Sequence, residues 1–194
     1  TDSDWINEDR YAAPVFLGDG QEFLWLSERD GFMHLYLYSR QGALVRQLTQ
    51  GDWMIDSNTW NLITPGRPVH TGPSGKRAYF ITTRNGPLER RLYGLEIATG
   101  RLELISQQPG FHSFSLSGDG QYLVDQFSDV ATPPITMIVK ADGSGSQTLA
   151  QCAGPSLQLP RMTREFLTLK AHDGTVLYAQ LVKPENFDPA RKYP

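Results

Sequence analysis

Cysteine is almost missing from this sequence: Cys152 is the only one in 194 residues. A disulfide framework and a multi-cysteine zinc site are therefore excluded. One thiol is compatible with cytoplasm or periplasm alike and fixes no compartment. Long apolar runs are also missing. None approaches the roughly 20 residues that span a bilayer, which predicts a soluble piece with no membrane segment. Charge of one sign is not in excess either. The formal net charge of −3 lacks the basic stripe that nucleic-acid binding requires, so no nucleic-acid partner is expected. Thr1-Asp2-Ser3-Asp4-Trp5 has neither a basic n-region nor an apolar h-region, so no signal peptide stands here. The chain does not begin at methionine, and this says nothing about a longer parent. His34, His70, His112 and His172 include no pair at i, i+4, so no metal and no cofactor is expected.

Helical periodicity is nearly absent too. What fills the chain instead is short alternating apolar runs set off by glycine turns, the signature of antiparallel strands. In Glu22–Ser27, Phe23 and Trp25 fall on one face and Leu24 and Leu26 on the other. Asp30-Gly31 supplies the positive φ of a tight hairpin turn. Met33–Tyr38 follows as a second run, and Gln41-Gly42 separates it from a third, Leu44–Thr49.

This grammar recurs. One copy runs from Gly18-Asp19-Gly20 through Phe23-Leu24-Trp25 and Leu35-Tyr36-Leu37 to Leu48-Thr49. A second runs from Ser74-Gly75 through Tyr79-Phe80-Ile81 and Leu92–Leu95 to Leu104-Ile105, and a third from Gly118-Asp119-Gly120 through Tyr122-Leu123-Val124 and Ile135–Ile138 to Thr148-Leu149. Anchored on Gly20, Gly75 and Gly120, the period is about 45 to 55 residues, the range of four-stranded propeller blades. In such a blade the run after the glycine corner is buried on both faces, the third strand is half-exposed and the fourth lies at the rim. Phe111–Leu116 is the expected innermost strand of the last copy. The fold class predicted is all-β: an incomplete β-propeller of about three four-stranded blades. A small sandwich is the alternative, because three blades do not close a propeller.

After Cys152 the pattern breaks. Gly154-Pro155 and Leu159-Pro160 mark a connector. Arg164–Lys170 and Thr175–Val182 then flank Asp173-Gly174 as a β-hairpin of a new domain. The domains expected are residues 1–160 and 161–194.

Two stretches carry a family resemblance. Ser27-Glu28-Arg29-Asp30-Gly31-Phe32-Met33-His34-Leu35-Tyr36, followed by Leu48-Thr49-Gln50-Gly51-Asp52-Trp53, resembles the propeller of dipeptidyl-peptidase IV-like serine peptidases. Asp173-Gly174 with Leu181-Val182-Lys183-Pro184 through Lys192-Tyr193-Pro194 resembles the entry into that family's α/β-hydrolase domain. The resemblance implies a parent serine peptidase, of the prolyl oligopeptidase clan, that releases Xaa-Pro dipeptides from a free peptide N-terminus. Its propeller would flank the active site and restrict access; its partner would be a peptide substrate, and its members are often homodimers. A stand-alone interaction module, or an acylaminoacyl- or oligopeptidase-type propeller, is the alternative.

No catalytic residue carries over. The G-x-S-x-G nucleophile elbow of α/β-hydrolases is missing; Asp142-Gly143-Ser144-Gly145-Ser146 is the nearest match and reads as a hairpin turn. Glu8-Asp9 does not match the family's paired glutamates. A triad from His112, Ser113 or Ser115 and Asp119 fails for His112 and Ser113, which as strand neighbours point to opposite faces. The two Gly-x-Gly turns precede strands and offer no helix N-terminus to a phosphate. Trp5, Trp25, Trp53 and Trp60 read as inter-blade packing, His34 as a packing or turn-capping residue, and Glu89-Arg90-Arg91 as a solvated loop end.

Overall fold

Every alternating run becomes a strand, and every repeat closes into its own sheet. The computed structural model describes residues 13–56, 67–153 and 162–193, and the chain divides into two compact units, Thr1–Cys152 and Ala153–Pro194. In the first unit β1 (Val15–Phe16), β2 (Glu22–Ser27), β3 (His34–Ser39) and β4 (Leu44–Gln47) form one antiparallel meander in sequence order. The second sheet is β5 (Val69–Thr71), β6 (Arg77–Thr82), β7 (Arg91–Glu96) and β8 (Leu102–Leu104). The third is β9 (Phe111–Leu116), β10 (Tyr122–Ser128), β11 (Ile135–Lys140) and β12 (Ser146–Gln151). No helix occurs among the described residues.

The glycine corners hold the repeat in register. Gly20, Gly75 and Gly120 sit between first and second strands at φ of 73°, 63° and 72°, which only glycine adopts without strain. At Gly120 a Cβ would also lie 3.0 Å from the Gly72 Cα. Asp30-Gly31 behaves differently from the expected tight turn. Gly31 has a positive φ of 92°, but the connection from β2 to β3 spans residues 28–33, and Asp30 is turned to accept a hydrogen bond from the Tyr36 hydroxyl at 2.6 Å.

Two apolar layers join the sheets. Leu24, Leu26, Leu35 and Leu37 of the first sheet pack on Ala78, Phe80, Tyr93 and Leu95 of the second. The opposite face of the second sheet, with Tyr79, Ile81 and Leu92, packs on Phe114, Leu123, Phe127, Met137 and Val139 of the third. Short backbone links stitch the layers: Ile55 bridges to Thr82, and Arg90 to Phe111.

The expected exposure of the strands needs correction at two places. The third strands β3 and β7 are not half-exposed: four consecutive residues of β3 and five of β7 are buried. They lie inside their sheets with partners on both edges; β7 sends side chains into both layers, and β3 sends Leu35 and Leu37 into the first. The second strands are not uniformly buried either. β6 is buried from Ala78 onward, whereas β2 and β10 alternate, because among the described residues only the middle sheet has a sheet on each face. The fourth strand β12 is exposed throughout, as a rim strand should be.

In the second unit, β13 (Met162–Lys170) and β14 (Val176–Pro184) pair along their whole length. Gly174, at φ 86°, makes the turn, with Asp173 Oδ1 accepting from the Thr175 amide at 2.9 Å. Lys183 and Glu165 pair across the strands at 2.7 Å.

Candidate functional site

The polar side chains that could carry chemistry are drawn into structural ties at the ends of strands. His34 opens β3. Its Nε2–H donates to the Gly51 carbonyl at 2.9 Å, and Nδ1 lies 3.2 Å from Thr49 Oγ1, which itself accepts from the Leu35 amide at 2.9 Å. Trp53 stands edge-on to the ring, with centroids 5.0 Å apart. His34 thus closes the turn and packs, as its setting in the sequence predicts.

The second sheet builds the same tie from other residues. Ser106 Oγ accepts from the Leu92 amide at 3.2 Å, and Arg91 takes the place of His34. Its Nε donates to Ser106 Oγ at 3.0 Å and its Nη2 to the Ser106 carbonyl at 2.9 Å. Nη1 pairs with Glu89 at 2.9 Å. The neighbouring Arg90 holds Asp56 at 2.7 Å and lies over the Phe111 ring. Glu89-Arg90-Arg91 is therefore no solvated loop end. Arg91 is buried, because a fork of five donors can satisfy the carbonyls left unpaired where β8 ends.

The third sheet buries an ionisable pair. His112 Nδ1 lies 2.9 Å from Asp125 Oδ2, and Nε2–H donates to the Gln108 carbonyl at 2.9 Å. Both residues are buried, Asp125 with 1% of its surface exposed. The acid beside His112 is thus Asp125 and not Asp119. Asp119 stays in the glycine corner, accepting from the Ser117 hydroxyl at 2.6 Å and the Gln121 amide at 3.0 Å, and these bonds hold its carboxyl below the usual range. Ser113 and Ser115 point away from His112, as the register His112↔Phe127, Ser113↔Gln126 requires. No hydroxyl nucleophile meets the imidazole, and both of its nitrogens are occupied.

The other candidates fall into place as turns and packing. Asp142 accepts from the Ser144 hydroxyl at 2.6 Å and its amide at 2.8 Å, and Gly143 and Gly145 have positive φ, so 142–146 is a hairpin turn. Asp19 accepts from the Gln21 amide at 3.0 Å in the first corner. His70 is half-buried against Phe114, and burial lowers its pKa below the ordinary imidazole value. His172 and Cys152 are exposed. Trp25 and Trp53 are half-buried, whereas Trp5 and Trp60, like Glu8-Asp9 and the connector prolines, lie outside the described residues. A hollow of about 340 Å³ beside the inner strands is lined by Val15, Leu24, Leu26, Leu35 and Val69 with Arg67 at its side, and it offers no acid–base pair. No cluster of three or more metal-ligating side chains occurs among the described residues. No helix among them is long and apolar enough to cross a membrane.

Sequence reasoning missed Arg91, Asp125 and the hydroxyl ties of Thr49 and Ser106. A signal for the last was present: Thr49 and Ser106, just past the fourth strands, follow His34 and Arg91 at the same interval.

Three four-stranded meanders stacked face to face define a run of β-propeller blades. The chain belongs to the family described as the dipeptidyl peptidase IV (DPP IV) N-terminal region, whose model matches residues 1–134. Dipeptidyl peptidase 8 of Mus musculus is 26% identical over 98% of this chain and 24% of its own length. The crystal structure of Porphyromonas gingivalis dipeptidyl peptidase 4 superposes with a TM-score of 0.76 at 28% identity, covering 94% of this chain and 25% of that one. The chain thus spans about a quarter of the length of these relatives.

Proposed function

We propose that this chain is the C-terminal part of the propeller of a serine-type dipeptidyl aminopeptidase, continued by the first hairpin of its α/β-hydrolase domain. The observation that carries the reading is the family match over residues 1–134 on a chain whose repeats each form one stacked blade. Residues 161–194 are assigned to the hydrolase domain by their resemblance to its entry, and the long β13–β14 hairpin suits an opening strand pair. The parent would release Xaa-Pro dipeptides from peptide N-termini without a cofactor, and its blades would gate and shape the approach to the active site. The chain itself supplies no nucleophile elbow, and the buried His34 and His112 each have both ring nitrogens engaged. It acts as wall and hinge.

The test is a pair of assays with an Xaa-Pro chromogenic substrate. The purified 194-residue chain is expected to show no turnover, and the full-length natural protein to show it. Turnover by the chain alone, or none by the full-length protein, would overturn the reading.

A further inference from the structure

The layer between the second and third sheets changes chemistry near its glycine corners. In the first sheet the register pairs Leu24 with Leu37, and both are buried in the apolar layer against the second sheet. At the corresponding pair the second sheet has Tyr79 opposite Gly94, on the face turned to the third sheet. The glycine leaves room for its neighbours. A Cβ on Gly94 would stand 2.9 Å from Arg77 Nη2 and 3.4 Å from Tyr79 Cε1. Beside them opens a polar cleft of about 470 Å³, lined by Arg77, Tyr79, Gln121, Tyr122, Lys140 and Asp142, within the size range of small-ligand sites.

Donors outnumber acceptors in this cleft. Arg77 gives Nη2 to Glu103, whose other oxygen takes Arg101 Nη2 at 2.6 Å. Arg77 Nε is buried without a partner among the described residues. Tyr79 is 3% exposed, and burial pushes its phenol pKa up, so the hydroxyl stays a donor. Among the described residues nothing accepts from that hydroxyl, and Lys140 forms no ion pair. The acids nearby are already held. Glu103 lies between two arginines, and Asp142 Oδ1 accepts both Ser144 bonds, which keep its carboxyl below the usual range.

We propose that this cleft binds a small monocarboxylate, whose oxygens accept from the Tyr79 hydroxyl and the Arg77 guanidinium while the exposed Lys140 supplies charge at the mouth. A carboxylate offers its lone pairs in one plane, the complement of a guanidinium. Asp142 limits the charge that enters. It is an exposed carboxylate on the same cleft, and it repels a phosphate dianion twice as strongly as a monoanion. Recognition of this kind needs no peptidase activity.

The test titrates the full-length natural protein with N-acetylglycine and with its neutral amide, N-acetylglycinamide, read by saturation-transfer difference NMR. Inorganic phosphate is read by its competition with N-acetylglycine. N-acetylglycine is expected to saturate, the amide to bind roughly tenfold more weakly, and phosphate to compete less well than unlabelled acid. Tyr79→Phe keeps the ring and its packing and should weaken N-acetylglycine about fivefold. Asp142→Asn keeps an acceptor for Ser144 and should tighten N-acetylglycine about threefold, and phosphate by more. Equal binding of acid and amide overturns the proposal, and so does phosphate binding as tightly as the acid. A signal that rises linearly without saturating, an adventitious ion only, overturns it too. Unchanged affinity in both variants would place the carboxylate elsewhere on the protein. No arm reads hydrolysis, so failure here is distinct from failure of the peptidase assay.

Discussion

The two layers between sheets are built from the same repeat and differ most sharply at the middle of the second strand. In the first layer Phe80 fills the middle of the second strand and is fully buried among leucines. In the second layer the register puts Asp125 there, facing Phe114 on β9 and Met137 on β11, with His112 as its partner. The backbone is the same; what differs is how the space is satisfied. An apolar ring fills it by area alone. A carboxylate can occupy it only because an imidazole, anchored at its other nitrogen by the Gln108 carbonyl, stands within hydrogen-bond reach. The repeat thus dictates where a side chain points, and only the local partner decides whether it can be charged.

The comparison can be broken most forcefully by truncation. Phe80→Ala should cost about 3–5 kcal/mol, read from urea unfolding, because it leaves a cavity among fully buried leucines. Asp125→Ala should cost about 3 kcal/mol or more, since it leaves His112 facing an empty position. The sharper experiment is the double replacement His112→Phe with Asp125→Leu, which converts the second layer to the chemistry of the first. It should restore stability to near the parent value or above. A double variant as unstable as Asp125→Ala would show that the pair does more than fill the layer.

Smaller effects test the strand-end ties. Ser106→Ala removes the acceptor of the Leu92 amide and of Arg91 and should cost about 1–3 kcal/mol. Thr49→Val should cost a similar amount through Leu35 and His34, and a much smaller loss at either site would break the equivalence of the two sheets. The smallest effect is pH dependence. Burial lowers the pKa of His70 in the folded state, so the unfolded chain binds the proton more readily. The contribution of His70 is fully present above its unfolded value of about 6.5 and is lost as pH falls through the lower folded value. His70→Gln should flatten the stability profile between about pH 7 and pH 5, and an unchanged slope would assign that titration to another group.

Much of this was legible in the sequence. The strands of all three repeats follow from alternation and glycine corners, and β9 coincides with the expected innermost strand, Phe111–Leu116. The hairpin turns at 142–146 and 173–174 follow from Asp-Gly chemistry. What stayed hidden depends on contacts between residues distant along the chain. Asp119 is the nearer acid to His112 in sequence, but the β9–β10 register carries Asp125 back beside it. Arg91 looks solvated in a Glu-Arg-Arg run until β8 delivers Ser106 and its carbonyl. The burial of β3 and β7 depends on how many sheets cover each face, which alternation within one strand cannot reveal.

Among the described residues the repeats form a stack in which only the middle sheet is covered on both faces. Native-state hydrogen exchange of the 194-residue chain tests it most directly. The account predicts that the amides of β6 and β7, such as Phe80 and Leu95, exchange most slowly, those of the first and third sheets faster, and β13–β14 faster still as a separate unit. Protection of the first sheet, or of the hairpin, equal to or greater than that of β6 and β7 would contradict the stack.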